Sequence, residues 1–408
     1  MTCRNCNYEL SEVFADLGAQ PLSNSYLTKC QLNKLEKTYP LRVRVCPNCF
    51  LVQTEEYADR DDFFNSDYAY YSSTSSTWLR HASVYTEMIV DKLDLNQDSF
   101  VVELASNDGY LLKNFVQRKI PCLGVEPSRG TADAARQIGV PSLQKFFSHE
   151  VGQKIKEEYS GADLIIGNNV YAHVPDINDF TAGIFELLKP SGVVTLEFPH
   201  LLNLLNSLQF DTIYHEHYSY LSLYTVNQIF EKNGLTIFDV EKLSTHGGSL
   251  RVFGARKEVN HKKTKNFDVV IQDELDAGIN EIGTYQRFQN KIECIKDELL
   301  LKLIELKRKN KTVVGYGAAA KGNTLMNFAG IRPDLISFVS DKSVAKQRKY
   351  TPGSHLKILS PKQLIEAKPD YIVIFPWNLK NEIILDLKSL GVGNAKFIVA
   401  IPKLEVLS

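Results

Sequence analysis

Hydrophobic and polar positions along the chain change period several times, and the changes divide it into regions. From Phe100 to about Ala255, short β-branched runs at Val101–Leu104, Leu123–Val125, Leu164–Ile166 and Val193–Phe198 alternate with stretches of helical period. That alternation predicts a parallel sheet with crossover helices. An amphipathic helix from Trp78 to about Leu93 precedes it. After a basic, polar connector at 256–268, Phe288, Ile292, Ile295, Leu299, Leu303 and Leu306 recur at spacings of three and four, predicting one long helix that buries a single face. The strand, loop and helix pattern then restarts at Thr312-Val313-Val314-Gly315, with further buried-strand runs at Ile336–Val339, Tyr371–Phe375 and Lys396–Ile401. Residues 1 to about 60 have few periodic runs and carry turn signals such as Cys46-Pro47-Asn48-Cys49, so apolar burial alone does not hold them together.

With 408 residues, more than one core is expected. The fold class is α/β: a small N-terminal domain over 1–65, a central Rossmann-like domain over 66–255, and a helical connector with a C-terminal Rossmann-like domain over 256–408. Lys plus Arg (47) nearly cancel Asp plus Glu (48), so the balance gives no general pull toward nucleic acid or an anionic membrane. The first residues lack a signal-peptide run and no apolar stretch is long enough to span a bilayer, so the expected location is the cytoplasm.

Of seven cysteines, four form two Cys-x-x-Cys pairs, Cys3 with Cys6 and Cys46 with Cys49. Disulfides do not persist in a reducing cytosol, and thioredoxin-type redox motifs come singly. Four thiolates fill a tetrahedral zinc site and leave no position for water, so one structural ion is expected. Cys30, Cys122 and Cys294 read as incidental, the last two in apolar or helical surroundings.

The segment Phe100-Val101-Val102-Glu103-Leu104-Ala105-Ser106-Asn107-Asp108-Gly109 is a strand entering a small-residue turn, with a helix beginning near Leu111. Glu103 is placed for the cationic end of a methionine moiety. Glu126, at the tip of the next strand, is placed for two ribose hydroxyls. A third strand ends in the polar pair Asn168 and Asn169. The turn has one glycine, Gly109, and not the three of a dinucleotide fingerprint, which favours S-adenosylmethionine over NAD; Ala105 and Asn107 complete the cofactor set.

At this point the chain resembles a family of sugar C-methyltransferases with a zinc-binding, a central S-adenosylmethionine and a C-terminal Rossmann-like domain. The likeness spans essentially the full length and rests on the two Cys-x-x-Cys pairs, DYAYYSS, ELASNDGYLL, NNVYAHVPD, YHEHYSYLS, THGGSLRV and GYGAAAKGNT, in that order. The family usually has glycine where Ala105 stands, so a methyl group tightens the cofactor turn. The resemblance implies methyl transfer to carbon 3 of a nucleotide-linked 4-keto-deoxysugar, with a thymidine diphosphate carrier expected.

Carbon attacks a sulfonium only after a neighbouring carbonyl lets it become an enolate, so the site needs a base and an oxyanion stabiliser. Tyr214-His215-Glu216-His217-Tyr218 concentrates such groups. By the family likeness His217 is the base, with Tyr214 and Glu216 beside it, His173 as a second proton-handling group and Tyr68 covering the sugar. Tyr70, His215, His246, Lys321 and Asn323 are the expected substrate-binding residues, and Asp341 stands where it can meet the nucleoside. The loop Gly315-Tyr316-Gly317-Ala318-Ala319-Ala320-Lys321 matches neither a Walker loop nor a dinucleotide fingerprint and suits the substrate's diphosphate. His215 and His217 also read as a strand pair sharing one face, or as a structural loop cluster, and no third ligand for a catalytic metal is evident. The competing functions are O- or N-methylation of a similar sugar, a non-catalytic zinc and cofactor module, and, last, an NAD-dependent oxidoreductase. The sequence leaves open the exact sugar and nucleotide, the stereochemistry, which histidine is the base, and the oligomeric state.

Overall fold

The computed structural model describes residues 1–57 and 71–408, so the expectations placed on Tyr68 and Tyr70 lie outside the described residues. The chain is α/β, and its described residues form three sheets. The first is antiparallel, with order β1 (Glu12–Gln20), β2 (Tyr39–Val45), β3 (Val52–Thr54) and β9 (Ser219–Tyr220). Its last strand comes from the middle of the sequence. Val52 pairs with Tyr220 and Gln53 with Ser219, so the N-terminal region is stitched into the chain's centre by backbone hydrogen bonds.

The second sheet has the order β10 (Leu235–Leu243), β11 (Ser249–Arg256), β8 (Leu188–Pro199), β7 (Ala162–Asn168), β4 (Val101–Leu104), β5 (Cys122–Val125) and β6 (Ser142–Leu143). Strands β4 to β8 are parallel, and β11 is the antiparallel strand wedged between β8 and β10. The apolar runs at β4, β5 and β7 are buried on both faces, as a parallel sheet covered by helices requires. The chain reverses its direction of winding between β4 and β7, and ligands of open α/β sheets bind at such a switch point, beyond the carboxyl ends of the strands.

The third sheet repeats the device with the order β14 (Ile358–Leu359), β13 (Val339–Ser340), β12 (Val313–Tyr316), β15 (Tyr371–Ile374), β16 (Lys396–Val399) and β17 (Glu405–Leu407). Its switch point lies between β12 and β15. The long helix runs Phe288–Arg308 and buries the six residues that its periodicity singles out. It joins the first and third sheets in one core: Phe14 of β1 stacks on Phe288 with ring centroids 4.4 Å apart, and Val313 and Ile398 belong to the same apolar cluster. Burying each such side chain contributes roughly 1.5–3 kcal/mol.

The helix read from Trp78 begins at Ser76, because the Ser75 side chain caps it by accepting from the Trp78 N–H. The helix expected near Leu111 is only Lys113–Gln117, since residues 107–112 are consumed by turns. The strand run at Ile336–Val339 slides to Val339–Ser340, and the connector at 256–268 already starts a helix at Lys265. Cys122 is buried, whereas Cys294 is exposed on the long helix. No helix among the described residues is long and apolar enough to cross a membrane.

Candidate active site

Both Cys-x-x-Cys segments fold into the same knuckle. Asn7 N–H bonds the Cys3 carbonyl and Phe50 N–H bonds the Cys46 carbonyl, each at 2.9 Å, and Asn7 and Phe50 both have φ of 60°. The two knuckles place the sulfurs of Cys3, Cys6, Cys46 and Cys49 within 4.8 Å of one another, and Gln53 Nε2 lies 3.3 Å from Cys3 Sγ. Ligands about 2.3 Å from a tetrahedral zinc are roughly 3.8 Å apart, so the four thiols fit the ion and fill its coordination sphere. Zinc there stabilises the fold and takes no part in the chemistry.

At the central switch point, Glu103 ends β4 and is buried, with one carboxylate oxygen lacking any partner. Burial, then the charge of Glu126, pushes its pKa well above the usual carboxylate range. Both amide atoms of Asn168 and the side-chain oxygen of Asn169 are likewise buried without partners. Buried polar atoms seldom stay unpaired, and this cradle of donors and acceptors suits the charged amino-acid end of S-adenosylmethionine. Glu126 accepts from Asn107 N–H (2.9 Å), Ser128 N–H (2.9 Å) and the Thr131 hydroxyl (3.0 Å). These bonds hold the carboxylate still and leave about one lone-pair position for a ribose hydroxyl. The turn between them is left-handed at Ala105 (φ 56°), Asn107 (50°) and Gly109 (76°). Asn107 turns its side-chain oxygen to the Ser72 N–H at 2.9 Å, and Asp108 accepts from Ser73 N–H at 3.2 Å, docking the Tyr-Ser-Ser segment on the cofactor turn.

The Tyr214–Tyr218 segment is a turn, closed by His217 N–H on the Tyr214 carbonyl at 2.9 Å, so its side chains diverge. His215 faces the N-terminal domain, its Nε2 donating to the Pro40 carbonyl at 3.2 Å. The Glu216 carboxylate points to Asn24, which donates at 2.7 Å, and burial raises its pKa to about 7. His217 is buried in the cleft beyond the carboxyl end of β7, beside His173 and within reach of the charges of His246 and Lys321. Its Nδ1 donates to the Thr212 carbonyl at 2.8 Å; a carbonyl only accepts, so the proton sits on Nδ1 and the lone pair on Nε2. Tyr214 packs against it, tilted by 34° with centroids 4.0 Å apart, and His173 lies edge-on at 4.6 Å, its Nδ1 donating to the Glu216 carbonyl. Burial holds His217 well below the usual histidine pKa, with His173, His246 and Lys321 adding to the effect, and burial lowers His173 to about 4. The two histidines of His-Glu-His therefore share no face, and His217 and His173 are oriented by the backbone carbonyls of Thr212 and Glu216, not by the Glu216 carboxylate.

Lys321, at the start of the helix Ala320–Phe328, bonds Asn378 at 2.9 Å and lies 4.8 Å over the Trp377 ring. His246 is exposed to the cleft on the turn 245–247. Asn323 is fully buried and donates to the Ser23 carbonyl at 2.7 Å, behind the cleft wall. Asp341 accepts from the N–H groups of Ala318 (2.8 Å) and Ser343 (2.7 Å), so it shapes the loop after β12.

Sequence reasoning missed a second polar group on the cleft wall. Glu197, wholly buried at the end of β8, accepts from His81 (2.8 Å), Arg251 (3.0 Å) and Thr245 (2.9 Å). A lone carboxylate inside the apolar run Val193–Phe198 was the available signal. Asn24, Asp211 and Trp377 had no such signal, since their partners lie far away in the chain.

Three family models cover most of the chain: a zinc binding domain at residues 3–64, a methyltransferase domain at 80–240 and a C-methyltransferase C-terminal domain at 244–402. The C-methyltransferase NovU of Streptomyces niveus is 34% identical over 406 residues, spanning 100% of this chain and 96% of its own length. The chain belongs to the zinc-containing C-methyltransferase family. It is an S-adenosylmethionine-dependent enzyme. Among solved structures, the magnesium protoporphyrin IX methyltransferase of Synechocystis PCC 6803 with bound SAM is similar with a TM-score of 0.34 and 15% identity, over 44% of this chain and 79% of that one. The PH0226 protein of Pyrococcus horikoshii OT3 gives 0.37 and 15%, over 46% and 94%.

Two outcomes follow from this geometry. Elemental analysis should find one zinc per chain, and Cys46→Ser should lower stability by several kcal/mol in urea unfolding; a metal-free chain of unchanged stability would contradict the structural role. Ala105→Gly should raise stability by about 1 kcal/mol, because a left-handed alanine is strained; a lower urea midpoint would mean that the methyl group packs usefully.

Proposed function

We propose that this C-methyltransferase acts on carbon 3 of a nucleotide-linked 4-keto-deoxysugar, thymidine diphosphate being the expected carrier, with His217 as the base. The observation that carries the reading is the His217 tautomer: a buried, neutral imidazole anchored through Nδ1 on the Thr212 carbonyl, its Nε2 lone pair left to take a proton, with His173 and Tyr214 packed beside it. A C–H next to a ketone is acidic enough for such a base to remove, and the developing enolate oxygen needs a donor. Tyr214, packed against His217, and the Lys321 ammonium, whose charge is felt at His217, are the groups for that oxygen. Bound S-adenosylmethionine supplies the electrophilic methyl group. Glu103, Asn168, Asn169 and Glu126 hold it at the central switch point. The loop after β12 holds the diphosphate at the second switch point, so the sugar spans the junction where His217 stands. The name of NovU as a C-methyltransferase supports carbon as the acceptor.

In heavy water, without cofactor, the enzyme should exchange the carbon 3 hydrogen of a thymidine-diphosphate 4-keto-deoxysugar, and with cofactor it should add one methyl group through a C–C bond. Methylation of the corresponding 4-hydroxy sugar would sink the enolate reading and favour O-methylation. His217→Asn should lower kcat by about 10²–10⁴-fold while S-adenosylhomocysteine binds as before. Because burial lowers the His217 pKa, the base is neutral at pH 7 and the acid limb of kcat/KM should lie below pH 6.5; a limb above that value would point to another group.

A further inference from the structure

The chain's two tryptophans, Trp78 and Trp377, bracket one strained turn. His246, Gly247 and Gly248 take successive φ values of 54°, 90° and 109°. A non-glycine residue in the left-handed region costs roughly 1–2 kcal/mol, so the turn at His246 persists only if its surroundings hold it. On one side Thr245 is bonded by the buried Glu197, and the Trp78 ring meets His246 edge-on at 5.1 Å. On the other side stands Trp377, from the loop after β15. A Cβ on Gly247 would lie 2.6 Å from Trp377 Cη2, and Gln209 donates to the Gly247 carbonyl at 2.9 Å. The indole N–H of Trp377 donates at 2.8 Å to Asp211, which is completely buried, and the indole face carries Lys321. One side chain of the C-terminal unit thus touches a buried anchor, a strained turn and a cation of the cleft.

We propose that Trp377 is a positioning residue through which the C-terminal unit completes the methyl-transfer site, by fixing the His246 turn and the Lys321 ammonium against the His217 cleft. The indole ring sets how near the turn approaches, and Asp211 sets the angle of the ring. The part concerning catalysis rests on the reading of that cleft as the reaction site; the mechanical part does not.

The test uses the full chain. In Trp377→Phe the ring shrinks and the N–H bond to Asp211 is lost, so amide exchange in the peptide containing 245–248 should accelerate about tenfold while β4 and β7 are unchanged. Asp211→Asn, which keeps an acceptor for the indole, should exchange like the parent, and Asp211→Leu like Trp377→Phe. Unchanged exchange in Trp377→Phe, or equal exchange in Asp211→Asn and Asp211→Leu, overturns the proposal. S-adenosylhomocysteine binding checks that each variant is folded. With the keto-sugar, Trp377→Phe should lower kcat about tenfold at unchanged KM for the cofactor. Combined with His246→Asn, it should lower kcat no further than the worse single change. Losses that multiply would show that Trp377 acts independently of the turn, against the proposal. A parent enzyme that turns over no keto-sugar defeats the reading of function, and the exchange measurement still decides the mechanical claim.

Discussion

The site depends on one short antiparallel pairing, Val52–Thr54 of β3 against Ser219–Tyr220 of β9. Thr54 bonds the two residues just before β9, its N–H on the Tyr218 carbonyl at 3.0 Å and its hydroxyl on the His217 carbonyl at 2.6 Å. The strand is three residues long and begins three residues after Cys49. So short a strand has little stability of its own. The four thiolates and their ion hold its start, and the ladder to β9 transmits that position to the turn 214–218. Asn24 on Glu216 and Pro40 on His215 come from the same N-terminal region. The zinc domain is therefore the wall against which the backbone of the turn 214–218 is held.

The two α/β units place two switch points around this turn. Each crevice follows from strand order alone, because reversing the direction of winding leaves adjacent loops diverging at the carboxyl ends of the strands. Ionisable groups in and near the turn are buried. There burial raises Glu216 to about 7 and Asp211 to about 6, and keeps His217 and His173 neutral. The enolate chemistry proposed for the site benefits from such burial. A neutral base takes a proton without first shedding one, and the attraction between a cation and a developing oxyanion is screened less than in water.

Much of the fold was legible in residues that act through their own neighbours. β4 coincides with the run Val101–Leu104, and the buried stripe of the long helix is the set that its spacing gives. The paired cysteines announced the metal because ligand spacing within a knuckle is local. The strand ends at Glu103 and Asn168 were visible because a polar residue closing an apolar run is a local signal as well. Glu197 carried such a signal too, but a carboxylate inside a strand does not by itself name His81, Arg251 and Thr245 as its partners.

The sequence by itself determined most of the parallel strands of the two α/β units and the long helix, which four thiols bind an ion, and which residues are chemically able to move a proton. Only the tertiary structure decided that His217 packs beside His173 while His215 and the Glu216 carboxylate turn to the N-terminal region. A tight turn, not a strand, forms there, and β3, Asn24 and Pro40 occupy the other directions. It alone brought Trp377 to Asp211 across 166 positions, and Asn24 to Glu216 across 192. Such pairings have no periodicity to betray them. They arise from how whole sheets pack, and that is settled by the sum of many apolar contacts and not by any one residue's neighbours.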